Sequence, residues 1–223
     1  MSKTWFVTGT DTGVGKTAVS CALLVAAAQA GLRTAAVKPV AAGCDEKGRN
    51  DDALRLMASM TEVLDYDQVN PVALDAAVAP HIAASLQGKR MQANRLAGLC
   101  RGVMLGAADF VLIEGAGGWR VPINSRETMA DVAIELRVGV ILVVAMRLGC
   151  INHALLTAEA IRRDGPQLVA WVANQPGPRM DCHEDNLDTL RQLLGAPLLG
   201  DIPFQPRWEP EATARHLDIK LLL

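Results

Sequence analysis

Phe6-Val-Thr-Gly-Thr-Asp-Thr-Gly-Val-Gly-Lys-Thr17 carries an apolar run through a glycine-rich turn and straight into a helix-forming sequence. Its ending, Gly15-Lys16-Thr17, closes the pattern G-x-x-x-x-G-K-[ST]. In that pattern backbone N–H groups and a helix N-terminus face phosphate oxygens, the lysine adds a point charge and the hydroxyl holds Mg²⁺. The first glycine is displaced, because the strict position is Thr10 and the glycine stands one residue earlier, at Gly9. The apolar strand before the turn and the helix after it are still the context that the motif requires. Without an anion, Lys16 would be a positive charge at the positive end of a helix dipole, and a bound phosphate removes that conflict.

Outward from this stretch, strands and helices alternate. Thr4 to Thr8 reads as the first strand and Gly15 to Ala30 as a helix stopped by Gly31. That helix is apolar nearly all round, which predicts burial on more than one side. Thr34 to Lys38 is a second strand, and Asn50-Asp51-Asp52 can cap a helix running to Met60. Thr61 to Lys89, with Pro71 and Pro80, gives no periodic signal. Beyond it lie a helix (Asn94 to Ala107), a strand (Asp109 to Glu114) ending in Gly115-Ala-Gly-Gly118, and a helix (Thr128 to Leu136). Then follow a strand (Val140 to Ala145), a helix (Asn152 to Arg163), a strand (Leu168 to Ala173) and a helix (Asp181 to Leu194). A strand (Pro197 to Ile202) and a short terminal helix and strand finish the chain. The strands read as unbroken apolar runs, so the expected fold is α/β: a single P-loop NTPase-like domain over residues 1–223, with a mostly parallel central sheet and helices on both faces.

A chain of 223 residues suits one large domain, which should bury about 70% of its unfolded surface. The net charge of −2 gives no electrostatic reason to expect nucleic acid or an anionic membrane as partner. Five scattered cysteines without a C-x-x-C pair indicate neither a disulfide framework nor a zinc site. With no apolar segment long enough for a signal peptide or a membrane span, the expectation is a cytoplasmic protein with reduced thiols. Cys150 with His153 and Cys182 with His183 fall short of a four-ligand metal set and read as core or surface residues; Trp171, in an apolar strand, reads as core. No G-x-S-x-G elbow, H-E-x-x-H or dinucleotide fingerprint is present, which disfavours hydrolase, zincin and dehydrogenase chemistry.

Ligands of open parallel sheets bind beyond the carboxyl ends of the strands. Here those ends carry the P-loop, Lys38, Glu114, Asn174 and Pro203-Phe204. Phe110-Val-Leu-Ile-Glu114 has the form of a Walker B strand presenting a carboxylate to the magnesium beside the P-loop threonine. The glycines after it permit close backbone approach to a ligand. Asp52 shares the rim as a further magnesium candidate, although it or Asp51 could equally cap the helix.

Five blocks together resemble the dethiobiotin synthetase family: Thr8-Gly-Thr-Asp-Thr-Gly-Val-Gly-Lys-Thr17, Lys38-Pro-Val-Ala-Ala-Gly43, Glu114-Gly-Ala-Gly-Gly-Trp119, Leu148-Gly-Cys-Ile-Asn-His-Ala154 and Trp171-Val-Ala-Asn174. They stand in family order, ahead of a final Gly200-Asp-Ile-Pro203 segment, and span nearly the whole chain. The resemblance implies a homodimeric ATP- and magnesium-dependent ligase of biotin synthesis. It would convert 7,8-diaminopelargonate, CO₂ and ATP into dethiobiotin, ADP and phosphate through a carbamate and a carbamic-phosphoric anhydride. Gly13, Val14, Gly15, Lys16, Thr17 and Ala18 would hold the ATP phosphates, with Gly115, Ala116 and Gly117 beside them. Thr17, Asp52 and Glu114 would hold magnesium, and Lys38 with Lys16 would be catalytic. Asn174, Gln175, Pro203, Phe204 and Gln205 would surround the adenine. Thr12, Ala42, Gly118 and Asn152 would bind substrate, Asn152 across the dimer interface.

Two positions depart from the family pattern, which often has an acidic residue at Gly13 and a serine at Ala42. Neither touches Lys16, Thr17, Lys38 or Glu114. The competing reading is an ATP switch of the chromosome-partitioning or division-site type, which shares this architecture. Those proteins resemble one another in a lysine five residues before the P-loop lysine, where this chain has Asp11. A related ligase acting on a cobalamin precursor would need a glutaminase half, and none is attached.

Overall fold

The computed structural model describes residues 2–223. From the N-terminus, β1 (Lys3–Gly9) leads through the glycine-rich turn into α1 (Lys16–Gln29), followed by β2 (Thr34–Val37) and a short β3 (Val40–Ala42). Then come α2 (Asp51–Ser59), α3 (Tyr66–Val69), β4 (Val72–Leu74), α4 (Pro80–Leu86), α5 (Ala93–Met104) and β5 (Phe110–Gly118). The second half alternates strictly: α6 (Met129–Leu136), β6 (Gly139–Ala145), α7 (Cys150–Asp164), β7 (Leu168–Asn174), α8 (His183–Leu193), β8 (Leu198–Ile202) and α9 (Pro210–Ala214). A 3₁₀ turn over Ile219–Leu222 comes last.

Six strands form the central sheet in the order β2-β5-β1-β6-β7-β8. Every neighbouring pair in it is parallel, as the unbroken apolar runs predict. Successive residues of one strand therefore serve opposite faces. Val111 and Ile113 pack with Leu96 of α5, Ala133 of α6 and Ile161 of α7, whereas Phe110 and Leu112 pack with Leu23 and Leu24 of α1 and Leu56 of α2. α1 is enclosed on its far side too, where Ala22 and Ala26 meet Ala214 of α9. That second cover explains a helix with no polar face.

Four expectations need correction. The strand does not stop at Glu114, because β5 continues through Gly118, which stands in register with Gly9 of β1. The terminal strand is absent: Asp218 N–H donates to Leu199 O at 2.7 Å, reaching the sheet edge, but the Asp218 carboxylate then accepts from Lys220 N–H and starts the 3₁₀ turn. α7 begins at Cys150 rather than Asn152, since Gly149, at φ 92°, reverses the chain just before it. The segment from Thr61 to Lys89 is ordered as α3, β4 and α4, with β4 paired to β3 in a separate two-stranded sheet. Its strands have three residues each, too few for a periodic pattern.

Candidate active site

Because all six strands of the central sheet run one way, their carboxyl ends share one edge, and the predicted rim lies there. The P-loop turns off β1 with Gly13 and Gly15 at φ 73° and 92°, and Gly15 caps α1. Asn174, at the end of β7, donates from Nδ2 to Val14 O at 2.8 Å and so braces the loop from below. Val14 points into the core and contributes only its backbone. Lys16 folds back over the loop, its Nζ donating to Asp11 O at 3.0 Å. Burial pushes the Lys16 ammonium down to about 8, with Lys38 adding to the effect against Glu114, Asp52 and Asp11. An arriving anion relieves that strain on the charge.

Beneath Lys16 lies a second charged group. Glu114 is fully buried; its Oε1 accepts from the Thr17 hydroxyl at 2.8 Å and from Lys38 Nζ at 2.5 Å. Lys38 also donates to Asp52 Oδ2 at 2.8 Å. Burial alone would lower the Lys38 ammonium, yet Glu114 and Asp52 hold it above the usual lysine value. Burial likewise opposes ionisation of Asp52, and Lys38 holds that carboxyl below its ordinary range. The choice between Asp51 and Asp52 is resolved by Asn50, which caps α2 by accepting from Asp52 N–H and Ala53 N–H. Asp51 is left exposed and Asp52 free for the rim. Glu114 Oε2 is buried with no hydrogen-bond partner among the described residues. An orphaned carboxylate oxygen beside a threonine hydroxyl and a second carboxylate is an all-oxygen donor set that fits a hard divalent cation such as Mg²⁺.

A cavity of about 630 Å³ opens over this cluster. Thr12, Gly13, Gly15, Lys16, Thr17, Ala18, Lys38, Ala42, Asp52, Ala116 and Gly117 all line it, which unites most of the predicted site. Gln175, Pro203 and Phe204 line a neighbouring cavity of about 490 Å³ at the ends of β7 and β8. Four predicted residues lie elsewhere. Gly115 packs against the Phe6 ring, Gly118 lies beside Trp119 and Arg120, Gln205 accepts from the Thr213 hydroxyl of α9, and Asn152 is exposed in the first turn of α7. Sequence reading missed Arg55 and the apolar wall Ala77-Val-Ala-Pro80. Arg55 had a signal, standing one helical turn after Asp52; the wall had none.

A parallel α/β sheet with a phosphate loop, a paired lysine and a buried strand-end carboxylate defines a P-loop nucleotide-binding protein. Residues 3–212 match the family model described as an AAA domain. Among solved structures, the septum site-determining protein MinD of Pyrococcus horikoshii, complexed with Mg-ADP, is similar with a TM-score of 0.61 at 17% identity, covering 100% of this chain and 95% of that one. A ParA family ATPase of Chlorobium tepidum gives 0.57 at 13% identity, covering 96% of this chain and 90% of that one. Those likenesses establish the fold alone. The ATP-dependent dethiobiotin synthetase BioD of Marinobacter nauticus is 54% identical, covering 99% of this chain and 97% of the relative. That of Cellvibrio japonicus is 55% identical, covering 99% and 98%. The chain belongs to the ATP-dependent dethiobiotin synthetase family. Asp11, where the partitioning ATPases resemble one another in a lysine, instead pairs with Arg147 at 3.1 Å.

Proposed function

We propose that this chain is an ATP-dependent ligase that closes the ureido ring of dethiobiotin from 7,8-diaminopelargonate and CO₂, releasing ADP and phosphate. The observation that carries the reading is the pair of buried lysines, Lys16 opening α1 and Lys38 following β2, that face one cavity. One lysine suffices to bind a nucleotide; two suit a reaction that brings two anions together.

One substrate amine adds to CO₂ as a carbamate, and a carbamate oxygen attacks the γ-phosphorus as ADP leaves. The second amine then attacks the carbonyl carbon of the mixed anhydride, phosphate departs and the ring closes. The protein has little covalent work, so its contribution is positioning and charge neutralisation. Lys16 serves the transferring phosphoryl oxygens and Lys38 the carbamate. Thr17, Asp52 and Glu114 would hold Mg²⁺, which supplies further charge neutralisation at the phosphates. Ala42, lining the cavity where the family pattern often has serine, leaves the carbamate without that hydroxyl. Gln175, Pro203 and Phe204, which line the cavity beyond β7 and β8, form the surroundings of the adenine, with Asn174 bracing the phosphate loop beside them.

The active unit is a two-fold dimer. Asn152 is exposed and does not line its own chain's cavity, which suits a role toward the substrate tail bound in a partner subunit. Purified protein given diaminopelargonate, bicarbonate, ATP and Mg²⁺ should produce dethiobiotin, detected by mass spectrometry; ATP hydrolysis without that product would reject the reading. Lys38→Gln should cut turnover by about a hundredfold while calorimetric ATP affinity changes little. Mixing Lys38→Gln with Asn152→Asp should restore activity by forming one intact site per heterodimer, and no recovery in verified heterodimers would rule out the shared site.

A further inference from the structure

Gln175 follows the last residue of β7 and is buried, yet it lines the cavity beyond β7 and β8. Its Nε2 donates to Asp201 Oδ1 at 3.3 Å. A carboxylate only accepts, so the amide nitrogen must face Asp201. No described residue donates to Gln175 Oε1, and that atom is not among the buried polar atoms left without a partner. The amide oxygen is therefore the group that Gln175 offers to the cavity.

Asp201 is itself held. Its Oδ2 meets His183 Nε2 at 2.8 Å, and His183, the first residue of α8, is buried. Both Asp201 oxygens are thus engaged, one by each neighbour. His183, Glu184 and Asp201 bring three ligand atoms within 4.8 Å of one another, but Glu184 is paired with Arg179. The trio is accordingly a positioning network and not a metal site.

We infer that Asp201, anchored by His183, locks the Gln175 amide with its oxygen toward the nucleobase and so makes the site select a purine with an amino group at C6 over one with a keto oxygen there. An amide free to turn would offer N–H or C=O equally well and select neither. His183 does not line the cavity, and Asp201, which does, has both oxygens engaged by Gln175 and His183; the two are positioning residues that act through Gln175. The inference rests on the proposed placement of the adenine beside Gln175, Pro203 and Phe204.

The test is calorimetric binding of the Mg²⁺ complexes of the β,γ-imido analogues of ATP and GTP to the full chain and its variants, each first checked for cooperative melting. The wild type should favour the adenine analogue by at least about tenfold. Asp201→Asn, whose amide can accept as well as donate, should free Gln175 to turn and reduce that preference about tenfold. His183→Phe, which keeps a buried ring but removes the donor, should move the preference the same way to a smaller extent, and it carries the test if Asp201→Asn does not fold. Gln175→Ala should abolish the preference. Unchanged selectivity in folded Asp201→Asn and His183→Phe, with Gln175→Ala still altering it, would overturn the positioning role and leave the adenine placement standing. Unchanged affinity for both analogues in Gln175→Ala and Phe204→Ala would overturn the adenine placement itself, and a wild type that does not discriminate would overturn the selection.

Discussion

Two glycine-rich stretches each extend an apolar strand, and they do opposite things. After β1, the run from Gly9 to Gly15 leaves the sheet and curls into the phosphate loop. In β5, the run from Gly115 to Gly118 continues the strand alongside the base of that loop, through a register shift and with Gly117 at φ 63°. Between Gly15 and Gly115 the difference is one of conformation and room. Gly15 sits at φ 92°, where a side chain is strained, and a Cβ there would come within 2.2 Å of Asn174 Nδ2. Gly115 has an ordinary backbone, but a Cβ would meet the Phe6 ring at 3.1 Å, and at Gly118 it would face Gly9 O at 3.4 Å. Gly15 shapes the loop, whereas Gly115 makes room for Phe6 beneath the part of β5 that lines the cavity.

The strongest way to sharpen this contrast is Lys16→Ala, which removes the charge the loop exists to aim. Turnover should fall by about a hundredfold or more while the thermal midpoint hardly moves, and wild-type turnover would remove the phosphate role. Gly15→Ala comes next. It should break the Asn174–Val14 bond and weaken nucleotide binding about tenfold, roughly the value of a lost hydrogen bond with added backbone strain. Gly115→Ala should separate the two runs: a stability loss of about 1 kcal/mol from overpacking against Phe6, with nucleotide affinity nearly kept. If calorimetry showed Gly115→Ala to be as damaging to nucleotide binding as Gly15→Ala, the contrast would collapse.

The smallest expected effect lies just past the second run, where Trp119 Nε1 and Arg120 Nη2 donate to Asp164 at 2.8 and 2.7 Å. Burial opposes ionisation of Asp164, but Arg120 and Trp119 hold its carboxyl below the ordinary value of 3.8. Its folded pKa is therefore lower than its unfolded one, so it stabilises the protein above that range and stops doing so as the pH falls through it. Asp164→Asn should flatten the acid limb of a stability-against-pH curve slightly and leave the region above pH 6 parallel to wild type. A variant with an unchanged acid limb would show that the β5 end is held by packing alone.

What could be read from the sequence follows the same division. The P-loop, Lys38 and Asn174 each follow or end a strand or open a helix, and Glu114 closes the apolar run of β5, so local sequence marks both the residue and its place on the rim. The end of β5 could not be placed because a string of glycines looks the same whether it leaves a sheet or continues a strand. Asp52 could be separated from Asp51 only once Asn50 had taken the cap. The apolar wall from Ala77 to Pro80 and the Gln175–Asp201–His183 chain come from side chains far apart in sequence, with no spacing to betray them. Arg55 alone among the missed residues lay within reach, on the same face of α2 as Asp52.

The position of β1 in the sheet bears on how the protein is made. Its partners are β5 and β6, so Lys3 waits for Phe110 and Trp5 for Gly139. At ordinary rates of synthesis that interval lasts on the order of ten seconds. Throughout it, Phe6 and Val7, both fully buried in the finished sheet, have neither neighbouring strand to cover them. Helices nearby in sequence can form meanwhile, but pairing over so long a separation is slow. The strand that delivers the phosphate loop thus emerges from the ribosome long before either strand that shelters it, and in that interval it is a natural client for a chaperone.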